Sequence, residues 1–340
     1  MPSAGKLPSE IERILIRKSG AWTNPSYGCY PEKRPILEYI EKGVVNLDKP
    51  SGPTSHEVAA WVKGILGVNT AGHAGSLDPK VTGLLPILLG KATKAVPALR
   101  LSGKEYVCLL KLHKEMPPKF VRKVIGEFTG PIYQMPPIKS AVKRALRIRT
   151  VYYIDIIEIE GSSVLFRVGC EAGTYIRKLC HDIGLALGCN GHMQELRRTK
   201  VGPFTERTLI TLQDLKDAYV FWKEEGDESE IRKVIMPMES AVSHLPRIVL
   251  RDSAVDAICS GAALAVPGIT SIDSNLIKGD LTALFTLKNE MIALAKAEMS
   301  TEEILKASSG IAASPIRVMM EAGTYPKGWT KKEISVSSNL

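Results

Sequence analysis

Gly72-His73-Ala74-Gly75-Ser76-Leu77-Asp78-Pro79-Lys80-Val81-Thr82-Gly83 sets one carboxylate inside a glycine-punctuated loop, shortly after a histidine. Glycines permit positive φ and let the backbone approach a bulky ligand, while Pro79 fixes the chain directly after the acid. Such a loop suits close contact with a ligand, which makes Asp78 the first candidate for chemistry. Read alone, the same residues also fit an ordinary Asp-Pro turn or a helix cap. The flanking sequence has to decide.

Working outward, Val44-Val45-Asn46-Leu47-Asp48-Lys49-Pro50 reads as a strand running into a turn. Residues 55–66 then read as a helix with Thr54 or Ser55 at its N-cap. Beyond the loop, 83–101 is apolar with small residues, and 104–112 alternates like a strand that carries Tyr106 near its start. Residues 116–128 are helix-like, and the stretch from Gln134 to Lys139, stiffened by Pro136 and Pro137, cannot pair as a central strand. A hairpin is predicted over 151–160 and 164–170, and a helix over 174–187 that stops at Gly188. Residues 214–241 read as helical and charged, with the run Glu224-Glu225-Gly226-Asp227-Glu228 as a solvated turn. A new unit opens near Pro246, with a short helix at 253–260 and short strands at 281–287, 291–296 and 316–321 separated by glycine turns. The mixture predicts an α+β sheet domain followed by a small β-barrel.

A chain of 340 residues, 44% hydrophobic, can bury one large core and a smaller second one. Its formal net charge of +9 favours a polyanionic partner, with nucleic acid first among them. The six cysteines include no C-x-x-C pair and read as reduced core thiols. Cys180, His181, Cys189 and His192 fall close together, but no pair has zinc-finger spacing, so no metal is expected. No apolar segment reaches membrane-spanning length, and the charged start from Met1 to Lys18 is unlike a signal peptide. These features predict a soluble, cytoplasmic protein.

Several stretches together carry a family resemblance. They are residues 45–55 (Val-Asn-Leu-Asp-Lys-Pro-Ser-Gly-Pro-Thr-Ser), the loop at 72–83, Gly103-Lys104-Glu105-Tyr106, Gly173-Thr174-Tyr175-Ile176-Arg177 and Leu196-Arg197-Arg198. In order and spacing they resemble the TruB-type pseudouridine synthases. Glu171-Ala172 before that Gly-Thr-Tyr motif, and a C-terminal end similar to a PUA domain, resemble the archaeal dyskerin branch, the catalytic subunits of H/ACA ribonucleoproteins. The PUA-like residues are Asp252-Ser253-Ala254-Val255, Gly261-Ala262, Val266-Pro267-Gly268 and Lys278-Gly279-Asp280. Ala74 stands where a serine or glycine is commoner in the family, and Ser76 replaces a threonine. Neither change removes a chemical function.

The resemblance implies a mixed, mainly antiparallel sheet with flanking helices at 36–245 and a PUA RNA-binding domain at 246–326. It also implies an N-terminal arm at 1–35 packed on that domain, and a tail at 327–340 with too little to bury for order. It implies cofactor-free isomerisation of uridine to pseudouridine, with Asp78 as nucleophile, Arg177 paired to it, and Tyr106 stacked on the turned-out base. Leu196 would line the pocket, His73 would help fill the space the base vacates, and Lys49 and Tyr175 would support loop and base. Lys139, Lys143 and Arg144, with Arg147 and Arg149, would form a flap gripping successive phosphates.

The implied substrates are rRNA uridines chosen by an H/ACA guide RNA, with uridine-55 in the T-loop of tRNA as a second target. The implied protein partners are a small zinc-ribbon protein, a β-barrel protein of the Gly/Arg-rich type and a kink-turn-binding ribosomal-type protein. The alternative is a non-catalytic RNA scaffold. Asp78, Tyr106 and Arg177 have no common reason to persist in such a scaffold.

Overall fold

The structure is a computed structural model that describes residues 5–136 and 145–327. The chain divides into two compact units. One comprises Pro35–His244 with the described residues up to Glu12; the other comprises Arg13–Arg34 with the chain from Leu245 onward. The arm expected over 1–35 is therefore shared between the two units, dividing at Glu12. No helix among the described residues is long and apolar enough to cross a membrane.

The first unit is built on a ten-stranded sheet. In chain order its strands are β1 (Gly43–Lys49), β2 (Ala71–His73), β3 (Thr82–Leu89), β4 (Lys104–Leu112), β5 (Gly130–Gln134), β6 (Arg147–Glu160), β7 (Ser163–Cys170), β8 (Gly191–Val201), β9 (Phe204–Thr205) and β10 (Met236–Pro237). Across the sheet the order is β10-β1-β3-β8-β4-β7-β6-β5, with β2 added to β3 and β9 to β8. Only the β3–β8 contact is parallel among these pairings; the others are antiparallel. β1 and β3 are buried along nearly their whole length, which is why both read as apolar runs and not as alternating strands.

Helix α1 (Ser55–Leu66) opens with a capping box: Thr54 Oγ1 accepts from Glu57 N, and Glu57 Oε2 accepts from Thr54 N at 2.7 Å. It lays Val58, Val62 and Leu66 on Leu47, Leu85 and Ile87 of the sheet. Helix α2 (Pro118–Gly126) is shorter than the 116–128 expected, because Pro117 and Pro118 hold the preceding backbone extended. Helix α3 (Ile176–Ala186) packs Leu179, Cys180 and Ile183 against Cys108, Phe166 and Val168. The helical stretch expected over 214–241 divides into Leu212–Glu225 and Ser229–Val234 at the expected turn, where Gly226 has φ 74°, and it ends at Val234 rather than 241.

Register decides what meets what. Gly83 of β3 lies opposite Arg198 of β8, and Arg198 lies opposite Tyr106 of β4. Glycine, arginine and tyrosine thus form one row across three neighbouring strands, beside the loop that joins β2 to β3.

The second unit is a seven-stranded sheet ordered Leu15–Arg17, Ile269–Asp273, Arg247–Leu250, Leu281–Phe285, Met291–Ala297, Ile311–Val318 and Leu264–Ala265. Ile248, Leu250, Ile258, Ile272, Leu284 and Ile292 belong to its core. The N-terminal segment is part of this unit's sheet: Leu15–Arg17 pairs with Asp273–Ser271, and Lys18 Nζ donates to the carbonyls of Ile304 (2.6 Å) and Ala307 (2.8 Å). Two strands of this sheet, Arg247–Leu250 and Ile269–Asp273, are additional to those expected from the sequence. The last strand begins at Ile311, after Gly310, and not at 316 as expected.

Candidate active site

A cavity of about 640 Å³ opens in the first unit where the 75–81 loop, the start of β4, the start of α3 and the middle of β8 converge. Asp78 and Arg177 line it and form an ion pair through Oδ2 and Nη2; both side chains are about half exposed. Tyr106, Tyr175 and Leu196 complete the wall around them. Arg100, Lys104, Arg177 and Arg198 place four basic side chains around the single carboxylate of Asp78. That excess of positive charge suits a polyanionic substrate.

The loop is held from beneath. Lys49, at the end of β1, is fully buried and donates from Nζ to the carbonyls of Pro50 (2.8 Å), Pro79 (2.9 Å) and Val81 (3.0 Å). All three ammonium donors are thereby satisfied. Burial pushes this lysine below its usual range, and the charge of Asp78 opposes the shift. Ser55, in the first turn of α1, accepts from Leu77 N at 2.8 Å, and Gly52 N donates to Pro79 O at 3.0 Å. The 45–55 motif and the 72–83 motif are therefore two halves of one structure.

Arg198 is 1% exposed. Its Nε donates to Leu84 O at 2.7 Å and its Nη2 to Gly75 O at 3.1 Å, and strand register sets it opposite Tyr106. Burial pushes the Tyr106 phenol up and the Arg198 guanidinium down. Lys104 Nζ sits on the carbonyls of Leu99, Arg100 and Ser102, and burial, with the nearby charge of Arg198, pushes it down to about 7. Tyr175 is fixed through its backbone: its N–H donates to Gln134 Oε1 at 2.9 Å, and Gln134 Nε2 donates back to its carbonyl at 3.2 Å.

Of the residues singled out in the sequence, Asp78, Tyr106, Tyr175, Arg177 and Leu196 come together at the cavity. Lys49 does not reach it and serves the loop's backbone. His73 is also outside the lining: on β2, its ring meets His56 edge-on at 4.8 Å, and both its ring nitrogens are buried without a hydrogen-bond partner among the described residues. Lys139, Lys143 and Arg144 lie outside the described residues. Arg149 pairs with Glu171 at 3.2 Å. The suspected zinc residues are apart in function: Cys180 faces Cys108 at 3.4 Å, and His192 faces His113 at 3.0 Å. Among the described residues no group of three or more His, Cys, Asp or Glu is placed to hold a metal ion.

The sequence reading gave Arg198 and Lys104 no role. A signal existed for the first: side chains alternate along a strand, so in Leu196-Arg197-Arg198 the outer two share a face. Arg197 accordingly turns the other way, to Asp48 (2.9 and 3.0 Å) and Glu206 (2.7 Å).

Four domain families match this chain. The TruB family pseudouridylate synthase N-terminal domain matches residues 63–119 and 113–176, and the tRNA pseudouridylate synthase B C-terminal domain matches 177–243. The DKCLD domain matches 6–59 and the PUA domain 246–319. A probable tRNA pseudouridine synthase B from Methanosarcina barkeri is 85% identical over 99% of this chain and all of its own length. A protein of the same description from Pyrococcus furiosus is 56% identical over 97% of both chains. Among solved structures, the Cbf5 chain of a Cbf5-Nop10-Gar1 complex is 56% identical with a TM-score of 0.91, covering 95% of this chain and 98% of that one. A chain from an H/ACA ribonucleoprotein bound to a substrate RNA containing 2′-deoxyuridine is 54% identical with a TM-score of 0.90, covering 95% and 100%. With an aspartate–arginine pair facing that cavity and likeness along nearly its whole length, this chain belongs to the TruB family of RNA pseudouridine synthases, as a homologue of the archaeal dyskerin-type protein Cbf5.

Proposed function

We propose that this chain converts uridine to pseudouridine in ribosomal RNA selected by an H/ACA guide RNA, and that uridine-55 in the T-loop of tRNA is a second target. The observation that carries this reading is the Asp78–Arg177 pair at the mouth of a cavity able to take a flipped pyrimidine. Isomerisation exchanges a C1′–N1 bond for a C1′–C5 bond; C5 loses a proton and N1 gains one. No electrons enter or leave, so the reaction requires no redox cofactor.

Asp78 acts as the nucleophile that allows the uracil to depart, and Arg177 aims its carboxylate. Tyr106 presents a ring for the base to stack on, while Tyr175 and Leu196 close the pocket. Lys49 holds the catalytic loop in shape, and His73 supports it from β2. Extrusion of the uridine costs a few kcal/mol, which RNA contacts offset. Lys139, Lys143 and Arg144 supply part of those contacts through phosphates, and the PUA unit holds the guide.

The partners fitting this reading are those of the related particles: a Nop10-type zinc-ribbon protein, a Gar1-type β-barrel protein and a kink-turn-binding ribosomal-type protein. The free cysteines suit the reducing cytoplasm. The test is to give purified protein, with and without guide RNA and these partners, rRNA and tRNA fragments and to map pseudouridine chemically. Product at the guided uridine is expected; none on any RNA with every component present would overturn the proposal.

A further inference from the structure

At about 640 Å³ the cavity holds more than a uracil ring fills. A nucleotide turned out of its stack swings about its own backbone, so its ribose and the phosphates beside it are drawn to the mouth of the pocket. Each phosphate brings negative charge toward the carboxylate of Asp78. A cation at the rim has to offset that repulsion.

Four basic side chains line the cavity, and three are already engaged. Lys104 is 5% exposed and spends its ammonium donors on the carbonyls of Leu99 (3.0 Å), Arg100 (2.9 Å) and Ser102 (2.6 Å). Arg198 is buried and holds Leu84 O and Gly75 O, and Arg177 is paired with Asp78. Arg100 differs: its side chain is exposed, and among the described residues no carboxylate or carbonyl takes its guanidinium.

The backbone that carries Arg100 is nevertheless fixed. It belongs to the last turn of the short helix Val96–Leu101, which buries Ala98 and Leu99. The end of a helix presents unpaired carbonyls that repel an anion. Here Lys104 takes the carbonyls of Leu99 and Arg100, so that repulsion is removed where the Arg100 side chain leaves the helix. Only the torsions of one side chain remain to be ordered on binding, and the planar fork of a guanidinium matches two phosphate oxygens.

We propose that Arg100 is a phosphate subsite for the flipped nucleotide: it binds one of the two backbone phosphates that flank the target uridine and so holds the ribose toward Asp78. The contact forms only after the nucleotide has turned out, so it raises the flipped population and acts on the rate of enzyme already saturated with RNA. A cation that grips distant RNA acts on affinity alone. This role deepens the pseudouridine-synthase reading and rests on it.

The test pairs a change in the protein with a change in the RNA. Single-turnover rates at saturating enzyme are measured with the guide RNA and partner proteins that give the wild type its activity. The substrates are the native RNA and two RNAs in which an uncharged methylphosphonate replaces the phosphate 5′ or 3′ of the target uridine; the enzymes are wild type, Arg100→Gln and Arg100→Lys. On native RNA Arg100→Gln should be slower by roughly 10-fold, the usual worth of one charged hydrogen bond, and Arg100→Lys should keep part of the rate. One of the two methylphosphonates should slow the wild type by a similar factor and slow Arg100→Gln no further.

An Arg100→Gln enzyme as fast as wild type on native RNA would overturn the subsite. So would losses that multiply on both modified RNAs, or a wild type indifferent to both, a result that does not depend on any variant folding. An inactive wild type takes down the functional reading together with this role. An active wild type with multiplying losses takes down only the part given to Arg100.

Discussion

Lys49 grips the residues that follow Asp78: its buried ammonium donates to the carbonyls of Pro79 at 2.9 Å and Val81 at 3.0 Å. The side chain that aims the loop never touches the cavity. Lys49→Met keeps the length of the stem and takes a donor from three inward carbonyls, of which Pro79 O keeps Gly52 N. Relief of a buried charge offsets part of that loss, so a net destabilisation of about 2 kcal/mol is expected. Denaturant melts give the stability, and single-turnover assays should show a rate loss larger than any change in RNA affinity. A variant as stable and as fast as wild type would show that the loop holds itself.

Asp78 and Arg177 form a half-exposed pair, and such pairs contribute little to stability. Arg177→Ala should therefore leave the melting temperature nearly unchanged while sharply lowering the rate. Asp78→Asn should abolish product and spare RNA binding, because the carboxylate serves bond exchange and not phosphate contact. Equal loss of binding and turnover in Asp78→Asn, measured by filter binding and pseudouridine mapping, would count against the nucleophile role.

Where the sequence was legible, the physics was local. Thr54 and Glu57 spell out the start of α1, the alternation from Lys104 to Leu112 spells out β4, and glycine and proline around Asp78 spell out a loop. How Lys49 braces the loop, and which way His73 faces, were not legible for one shared reason. A lysine or histidine near a catalytic loop looks like a substrate ligand, but whether its polar atoms face the cavity or the backbone depends on strands paired far along the chain. The same holds for Arg198: its place beside Gly83 and Tyr106 is a product of register among β3, β8 and β4, and no window of sequence contains all three. The reading of 214–241 held through the turn at Gly226 and failed beyond Val234, where Met236 and Pro237 pair with β1 across a long separation in sequence.

Gly83 carries that register in its backbone. It has φ 98°, and a Cβ there would lie 2.2 Å from the Arg198 carbonyl oxygen. The neighbour is strand backbone and cannot step aside, so Gly83→Ala combines positive-φ strain with a clash. A destabilisation of about 3 kcal/mol is expected, with loss of activity that follows the distortion of the Arg198 row. Thermal or denaturant unfolding checks it; a change below about 1 kcal/mol would mean the strands can part without harm.

Lys143 and Arg144 lie outside the described residues, so the expectation for them comes from the sequence. Cations on one loop that contact phosphates release counterions on binding, and each contact adds about one unit to the dependence of log affinity on log salt. Replacing both with glutamine should weaken RNA binding and flatten that slope by about two. Titrations at several salt concentrations decide the matter, and an unchanged slope would remove phosphate contact from the role of this segment.

His73 makes acid stability report on the support of the catalytic loop. Burial, then the nearby charges of His56 and Arg198, push its imidazole below the ordinary 6.5. In the unfolded chain the ring takes up its proton near that ordinary value, whereas the folded protein resists it. Between the two, the unfolded state binds more protons, so stability falls as pH is lowered. The contribution is present in full above pH 6.5 and is lost as the pH falls through the folded-state value. His73→Phe keeps a ring of similar size and removes the titration. Compared across pH 8 to 5, the melting temperature of the variant should hold up better than that of wild type on the acid side. A difference that stays constant with pH would mean that the imidazole takes up its proton as readily in the folded protein as in the unfolded chain, and that its two buried nitrogens carry no penalty on acidification.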